Sequence, residues 1–254
     1  MKHFAVQQGS EEWLALRRGI PTASEFERII TPAKIETKDG IIKGWNPTKG
    51  ETRLKYAVKL VTELILGCSL DDVNTASMQH GKDWEPKARR AYEMMQGADV
   101  EECGFCTIDD GLVGASPDGF VGDEGSIELK CPERPEIHVG YLLRPETLSD
   151  EYWVQTQGQL YVTGRKWTDL CSYFMGIPMA VVRITPEPEF QRRLAASLAM
   201  FQREIVDLVE RAKQRGVVFR RRTEPEAPRD HSADFLSRED EDLIVAARFP
   251  GGRE

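Results

Sequence analysis

Between residues 103 and 131 the hydrophobic pattern of this chain changes period, and that change constrains the fold more than any other feature. On either side, apolar residues recur every three or four positions. Here they come in short runs near 103–108, 112–115, 119–122 and 126–131, cut by Asp109-Asp110-Gly111, Pro117-Asp118-Gly119 and Asp123-Glu124-Gly125. Such punctuation predicts short strands joined by tight turns. The flanking periodicity predicts helices at 9–19, 22–30, 51–66 and about 77–96 before this region, and at 151–163 and 188–215 after it, the last ending at Gly216. Two more strands are expected at 169–175 and 179–185. Thr22 and Glu25 stand in capping-box spacing, and Leu54, Val58, Val61, Leu64 and Ile65 form the expected core stripe of the 51–66 helix. Residues 31–50, with Pro32, Gly40, Gly44, Pro47 and Gly50, read as a mobile surface loop. This order argues for one α/β or α+β domain over residues 1–219. Residues 220–254 read as a tail, opening with Arg220-Arg221-Arg222, Pro225 and Pro228; within it, 237–249 reads either as a short amphipathic helix or as a solvated end.

The chemistry-bearing stretch is Ser116-Pro117-Asp118-Gly119 followed by Ile127-Glu128-Leu129-Lys130. Alternation along a strand puts Glu128 and Lys130 on one side and turns Leu129 into the core. If the preceding hairpin sets Asp118 beside that strand, two carboxylates and an ammonium converge. A hard divalent cation such as Mg²⁺ resolves the repulsion, and the backbone carbonyl of Leu129 is a natural further ligand. A metal so held activates water and neutralises a phosphoryl oxygen, while Lys130 holds or helps deprotonate the attacking water. The competing reading is a turn aspartate and a surface ion pair. Glu85, early in the helix after Gly81-Lys82-Asp83-Trp84, is able to aim at the same site. Gln155 and Gln159 share a helix face at i,i+4, so a helix packed on the strand brings Gln155 over the metal.

The formal charge of −8 argues against a nucleic-acid partner only as an average. Residues 100–129 hold eight acidic side chains and no Lys or Arg, so the excess sits where cations are to be held. Lys34, Lys38, Lys43, Lys49, Arg53, Lys55 and Lys59 form a basic stretch able to face DNA. Five cysteines are an odd number for a disulfide framework. Cys103-Gly-Phe-Cys106 has the spacing of half a zinc site, and without a second such pair or an HxxxH partner it reads as two buried thiols near a strand. No apolar run reaches the roughly 20 residues of a membrane span. The N-terminus has no apolar signal stretch, so a cytoplasmic protein is expected.

Taken together, LRRGIPTASE (16–25), GKDWEPKAR (81–89), SPDG (116–119), ELKCP (128–132) and YWVQTQGQLYV (152–162) resemble the lambda exonuclease family, also called YqaJ-type viral recombinases, PD-(D/E)XK nucleases of phages and prophages. The resemblance implies a restriction-endonuclease-like core, a central mixed β-sheet flanked by helices. It implies Asp118 and Glu128 as metal ligands, Lys130 as the catalytic lysine, Glu85 as an acid reaching the metals through water, and Gln155 as a glutamine near the nucleophile. It further implies Arg17 and Ser24 at the 5′-phosphate and Met78 as an apolar wedge between terminal base pairs. The implied activity is 5′→3′ resection of linear duplex DNA with two Mg²⁺ ions, Mn²⁺ being a possible substitute. Mononucleotides are released, and the 3′ strand is left for a single-strand annealing protein. A toroidal homotrimer is implied as well. The alternatives are another PD-(D/E)XK endonuclease, a Cas4-like enzyme whose iron–sulfur cluster needs four cysteines, or a non-catalytic scaffold that binds DNA ends.

Overall fold

In chain order the elements are β1 (Lys2–Phe4), α1 (Glu11–Arg17), a 3-10 helix over Ala23–Arg28, β2 (Ile30–Thr37), β3 (Gly40–Pro47), α2 (Glu51–Leu66), α3 (Ala76–Gln96), β4 (Phe105–Thr107), β5 (Gly114–Ala115), β6 (Gly119–Val121), β7 (Gly125–Lys130), α4 (Pro135–Leu143), α5 (Pro145–Thr163), β8 (Trp167–Ser172), β9 (Ala180–Ile184) and α6 (Pro188–Gln214). This computed structural model describes residues 1–37, 40–71 and 76–219, with side chains outside 34–43 and 76–78. The tail over 220–254, including the amphipathic stretch at 237–249, lies outside the described residues.

The central sheet runs β6-β7-β8-β9. β7 pairs antiparallel with β6 and parallel with β8, so the sheet is mixed, as expected. Parallel neighbours need a long crossover, and α4 with α5 supplies it. Because β7 is central, it is buried almost throughout. Ile127 and Leu129 pack on Ala88 and Tyr92 of α3, whereas Glu128 and Lys130 face α5. The alternation read from the sequence is therefore the one that forms. Beneath α3, the Tyr92 hydroxyl donates to buried Asp169 at 2.7 Å, and Arg183 grips the same carboxylate through two bonds of 2.8 Å. Satisfied in this way, a buried charge fixes the helix to the sheet rather than destabilising it. A second, antiparallel sheet runs β1-β4-β5.

The largest apolar cluster joins the 3-10 helix, α2, α5 and α6 through residues such as Phe26, Leu60, Val154 and Leu198, and the rings of Tyr56 and Phe201 stack at 5.4 Å. α5 approaches the 3-10 helix at Gly158, where a Cβ would sit 2.6 Å from the Phe26 ring. Gly158→Ala is accordingly expected to destabilise the chain by about 1–3 kcal/mol through overpacking, measured by denaturant unfolding.

Several expectations are corrected. Residues 31–50 are not a loop: β2 and β3 form an antiparallel ribbon that pairs Pro32 with Trp45 and Lys34 with Lys43. In a two-stranded ribbon both strands are edges, so proline is tolerated there, and the breaker residues do not interrupt the pairing. The helix after Pro21 is 3-10, and Thr22 makes no side-chain cap bond; its hydroxyl faces Arg17 and Ser24 instead. The buried face of α2 is Arg53, Tyr56, Ala57, Leu60, Val61 and Glu63, while Leu54 and Val58 are exposed. Of the basic stretch, Arg53 is buried, donating to Glu204 at 2.7 Å and to the Ile29 carbonyl at 3.1 Å, which removes it from any DNA-facing set. Lys55 pairs with Glu51 and Lys59 with Asp71. The side chains of Lys34, Lys38 and Lys43 lie outside the described residues. β1 and α4 were not expected from the sequence.

Candidate active site

The antiparallel pairing of β6 with β7 runs from Val121↔Gly125 to Gly119↔Ile127, with the Asp118 amide bonded to the Ile127 carbonyl at 3.1 Å. β6 then ends while β7 continues. Asp118 turns back along the uncovered edge and accepts a hydrogen bond from the Leu129 amide at 2.6 Å through Oδ2. A residue's N–H and C=O leave a strand on the same edge, so the Leu129 carbonyl opens toward Asp118. The Pro-Asp-Gly turn and the alternation of Glu-Leu-Lys thus put all three groups at one end of one strand.

Glu128 is buried and densely bonded. Its Oε1 accepts from Lys130 Nζ at 2.8 Å and from Gln155 Nε2 at 2.6 Å, and its Oε2 accepts from Gln159 Nε2 at 2.6 Å. Lys130 Nζ also donates to Gln155 Oε1 at 3.2 Å and lies 4.3 Å from the centre of the Tyr152 ring. α5 is kinked at Tyr152, whose φ and ψ are −109° and 15°. The helical run after the kink presents Gln155 and Gln159 one turn apart to the same carboxylate. Among the described residues the side-chain oxygen Oε1 of Gln159 is buried with no hydrogen-bond partner.

The electrostatics follow from crowding. Burial, then the charges of Glu128 and Glu85, push the Asp118 carboxyl well above its ordinary range, although the Leu129 amide works against this. Glu85, on α3, is raised by burial and by Glu128. For Lys130 burial acts downward, but the charge and hydrogen bond of Glu128, followed by Asp118 and Glu85, prevail and raise it. Three carboxylates around one ammonium leave negative charge in excess, and an unsatisfied acceptor on Gln159 lies beside them. This oxygen-rich, anionic set suits a hard divalent cation. Glu85, Asp118 and Glu128 do not all gather within 4.8 Å of one another.

Arg89, one turn after Glu85, donates to the Asp118 carbonyl at 3.3 Å and pairs with Glu102. Gln8 donates to the carbonyls of Cys103 at 2.7 Å and Pro117 at 2.9 Å. Neither was expected in the site, though the spacing of Glu85 and Arg89 at i,i+4 put both on one face.

A second cluster adjoins it. The Arg17 guanidinium lies 4.1 Å from the centre of the Trp13 ring, and the Trp13 indole N–H donates to Ser116 Oγ at 2.9 Å, two residues before Asp118. Among the described residues Arg17 makes only long bonds, 3.3 Å to Thr22 and 3.4 Å to Asp71, and its buried Nε has no partner there. Asp71 also pairs with Lys59; burial acts against its charge, but Lys59 and Arg17 hold its carboxyl below the usual range. Ser24 is exposed, 3.4 Å from the Thr22 hydroxyl. Met78 falls in the first turn of α3, and its side chain lies outside those described.

The sequence profile of the YqaJ-like viral recombinase domain matches residues 12–166. The chain belongs to the YqaJ-like viral recombinase family. That span covers α1 from its second residue to Arg17, the Asp118 turn, β7 and the glutamines of α5. Among solved structures, the alkaline exonuclease LHK-Exo of Laribacter hongkongensis is 30% identical, covering 82% of this chain and 98% of its own, with a TM-score of 0.67. A phage-related exonuclease of Haemophilus somnus 129PT shares the fold at 12% identity, with a TM-score of 0.57 over 76% of this chain and 95% of its own. No curated protein sequence matches this one. The fold read from the sequence, a mixed sheet flanked by helices, is that of this nuclease family. Among the described residues no helix is long and apolar enough to cross a membrane.

Proposed function

We propose that this protein is a Mg²⁺-dependent 5′→3′ exonuclease on linear double-stranded DNA, releasing 5′-mononucleotides and leaving a 3′ single strand for recombination by a single-strand annealing protein. Likeness to an alkaline exonuclease over nearly all of that enzyme's length supports the coarser part, a DNA exonuclease acting in recombination. The observation that carries the reading is the convergence of Asp118, Glu128 and Lys130 at the open end of β7 under Gln155 and Gln159. One LHK-Exo structure is a complex with dAMP, a deoxynucleoside monophosphate, which supports mononucleotides as the product here.

In this reading Asp118, Glu128 and the Leu129 carbonyl hold the metal, two ions being proposed, with Glu85 reaching them through water. Bound there, Mg²⁺, or Mn²⁺ in its place, supplies Lewis-acid stabilisation of the phosphoryl charge and an activated water. Lys130 orients the attacking water and takes up charge that develops on the phosphate. The glutamines orient Glu128 without adding charge. Arg17, with its unpartnered Nε, clamps the 5′-phosphate together with the Thr22 and Ser24 hydroxyls, and Asp71 gives way to the stronger anion. A homotrimeric ring enclosing the duplex, with Met78 as a wedge at the end pairs, belongs to the same proposal, as does action in the bacterial cytoplasm where phage DNA replicates.

Linear duplex blocked by phosphorothioates at the 5′ or the 3′ ends tests the polarity. Mg²⁺-dependent digestion halted only by the 5′ block is expected; digestion halted by the 3′ block, or cleavage of closed circles, rejects it. Arg17→Ala is expected to erase the preference for 5′-phosphorylated over 5′-hydroxyl ends in a competition assay. An unchanged ratio removes Arg17 from the phosphate pocket.

A further inference from the structure

The half zinc site in the sequence gains a third donor from the far end of the chain. β1 pairs antiparallel with β4 in a register that sets His3 opposite Cys106, and opposed residues of such a pair project to the same face. Cys103 comes back to that face because Gly104 lets the chain lie flat against the N-terminal segment: a Cβ there would meet the Phe4 and Val6 carbonyl oxygens at 2.4 Å. His3, Cys103 and Cys106 thereby bring one imidazole nitrogen and two sulfurs within 4.8 Å of one another, the one such group of three among the described residues. The two Sγ atoms are 3.5 Å apart. Tetrahedral zinc with Zn–S near about 2.3 Å sets its sulfurs about 3.8 Å apart, so the pair needs only a slight adjustment.

The structure assigns to His3, Cys103 and Cys106 a Zn²⁺ site separate from the carboxylate site, with water in the fourth position. Two sulfurs and an imidazole are the donors that borderline-soft zinc takes and hard Mg²⁺ does not. On binding, both thiols lose their protons to solvent, and two thiolates with a neutral imidazole exactly balance a divalent charge. The buried cysteines therefore gain a neutral cluster rather than an isolated ion, and exposed His3 gives access from solvent. The ion ties β1 to β4. Because Gln8 bonds to the carbonyls of both Cys103 and Pro117, the tie reaches the residue before Asp118.

The full-length protein, reduced and free of chelator, is titrated with Co²⁺ and then Zn²⁺, and its metal content is measured after gel filtration. A thiolate-to-cobalt charge-transfer band with tetrahedral visible bands is expected, displaced by Zn²⁺ at one ion per chain. Oxygen ligands give no such band, so cobalt at the carboxylates does not contribute to it. His3→Ala, on an exposed side chain, is expected to weaken Zn²⁺ binding by more than about tenfold, the least that loss of even an outer partner costs. Cys106→Ser is expected to abolish the band, with circular dichroism confirming the fold. Absence of the band in the wild type, or an undiminished band in His3→Ala, overturns the assignment.

Discussion

Lys130→Ala is expected to lower the rate of DNA hydrolysis by roughly a hundredfold to ten-thousandfold, the range in which a positioned proton-transfer group contributes, with little change in DNA affinity. The side chain sits against Glu128, Gln155 and the Tyr152 ring. Removing it leaves two amide donors on Glu128 and does not strand that carboxylate. Single-turnover digestion of an end-labelled duplex, beside a binding titration, separates the two effects. Lys130→Arg sharpens the test, because a guanidinium keeps the charge but does not give up its proton near neutrality. If charge alone matters, the arginine variant recovers most of the lost rate; if proton transfer matters, it stays slow at every pH. Wild-type rates in the alanine variant would remove Lys130 from the chemistry.

Asp118→Asn is expected to cost activity on a similar scale and also to change how stability depends on pH. The asparagine carbonyl still accepts the Leu129 amide, so the turn survives while the charge is lost. In the wild type the carboxyls of Asp118 and Glu85 are raised in the folded state, burial being the largest cause for each. A raised acid stabilises the fold fully below its unfolded value near about 4, and that contribution is lost as pH rises through the folded value. Asp118 and Glu85 therefore subtract from the stability of the metal-free wild type as pH climbs from the acid range, against the opposite contribution of lowered carboxyls such as Asp71, and Mg²⁺ restores stability most on the alkaline side, where the carboxylates are ionised. Asp118→Asn removes the Asp118 part of that loss, so its Tm gains on the wild type's as pH rises in chelator, and the Mg²⁺-induced rise in Tm shrinks. Melting curves at several pH values, in chelator and in Mg²⁺, measure both. A difference in Tm between the wild type and Asp118→Asn in chelator that does not fall with pH contradicts the electrostatic account.

The parts of the site that were legible in the sequence are those whose geometry is local. Asp118, Glu128 and Lys130 lie on one hairpin, and strand alternation alone orients the last two. Gln155 was legible because the helix that follows has to pack on that strand. The other members depend on contacts that no local pattern encodes. Arg89 reaches the Asp118 carbonyl across 29 residues and Trp13 reaches Ser116 across 103, whereas Gln159 shares with Gln155 the helix face read from the i,i+4 spacing. Misreadings of the fold have equally physical causes. The β2–β3 ribbon was hidden by counting Pro32 and Gly44 as breakers, although an edge strand accommodates both. On α2, Arg53 is buried against partly exposed Glu204, and the core face it shares leaves Leu54 and Val58 outside. His3 became a neighbour of Cys106 only through strand pairing between distant segments.

The parallel join of β7 to β8 has a consequence for the birth of the enzyme. Glu128 finds its two amide donors on the crossover between those strands, a helix that packs on β8 and on the 3-10 helix alike. A ribosome delivers the chain from its N-terminus, and contacts of such sequence separation close late. An emerging chain already carries Asp118, Glu128 and Lys130 but lacks the scaffold that holds them in register. The Glu128 carboxylate thus gains its orienting amides only after synthesis has passed α5.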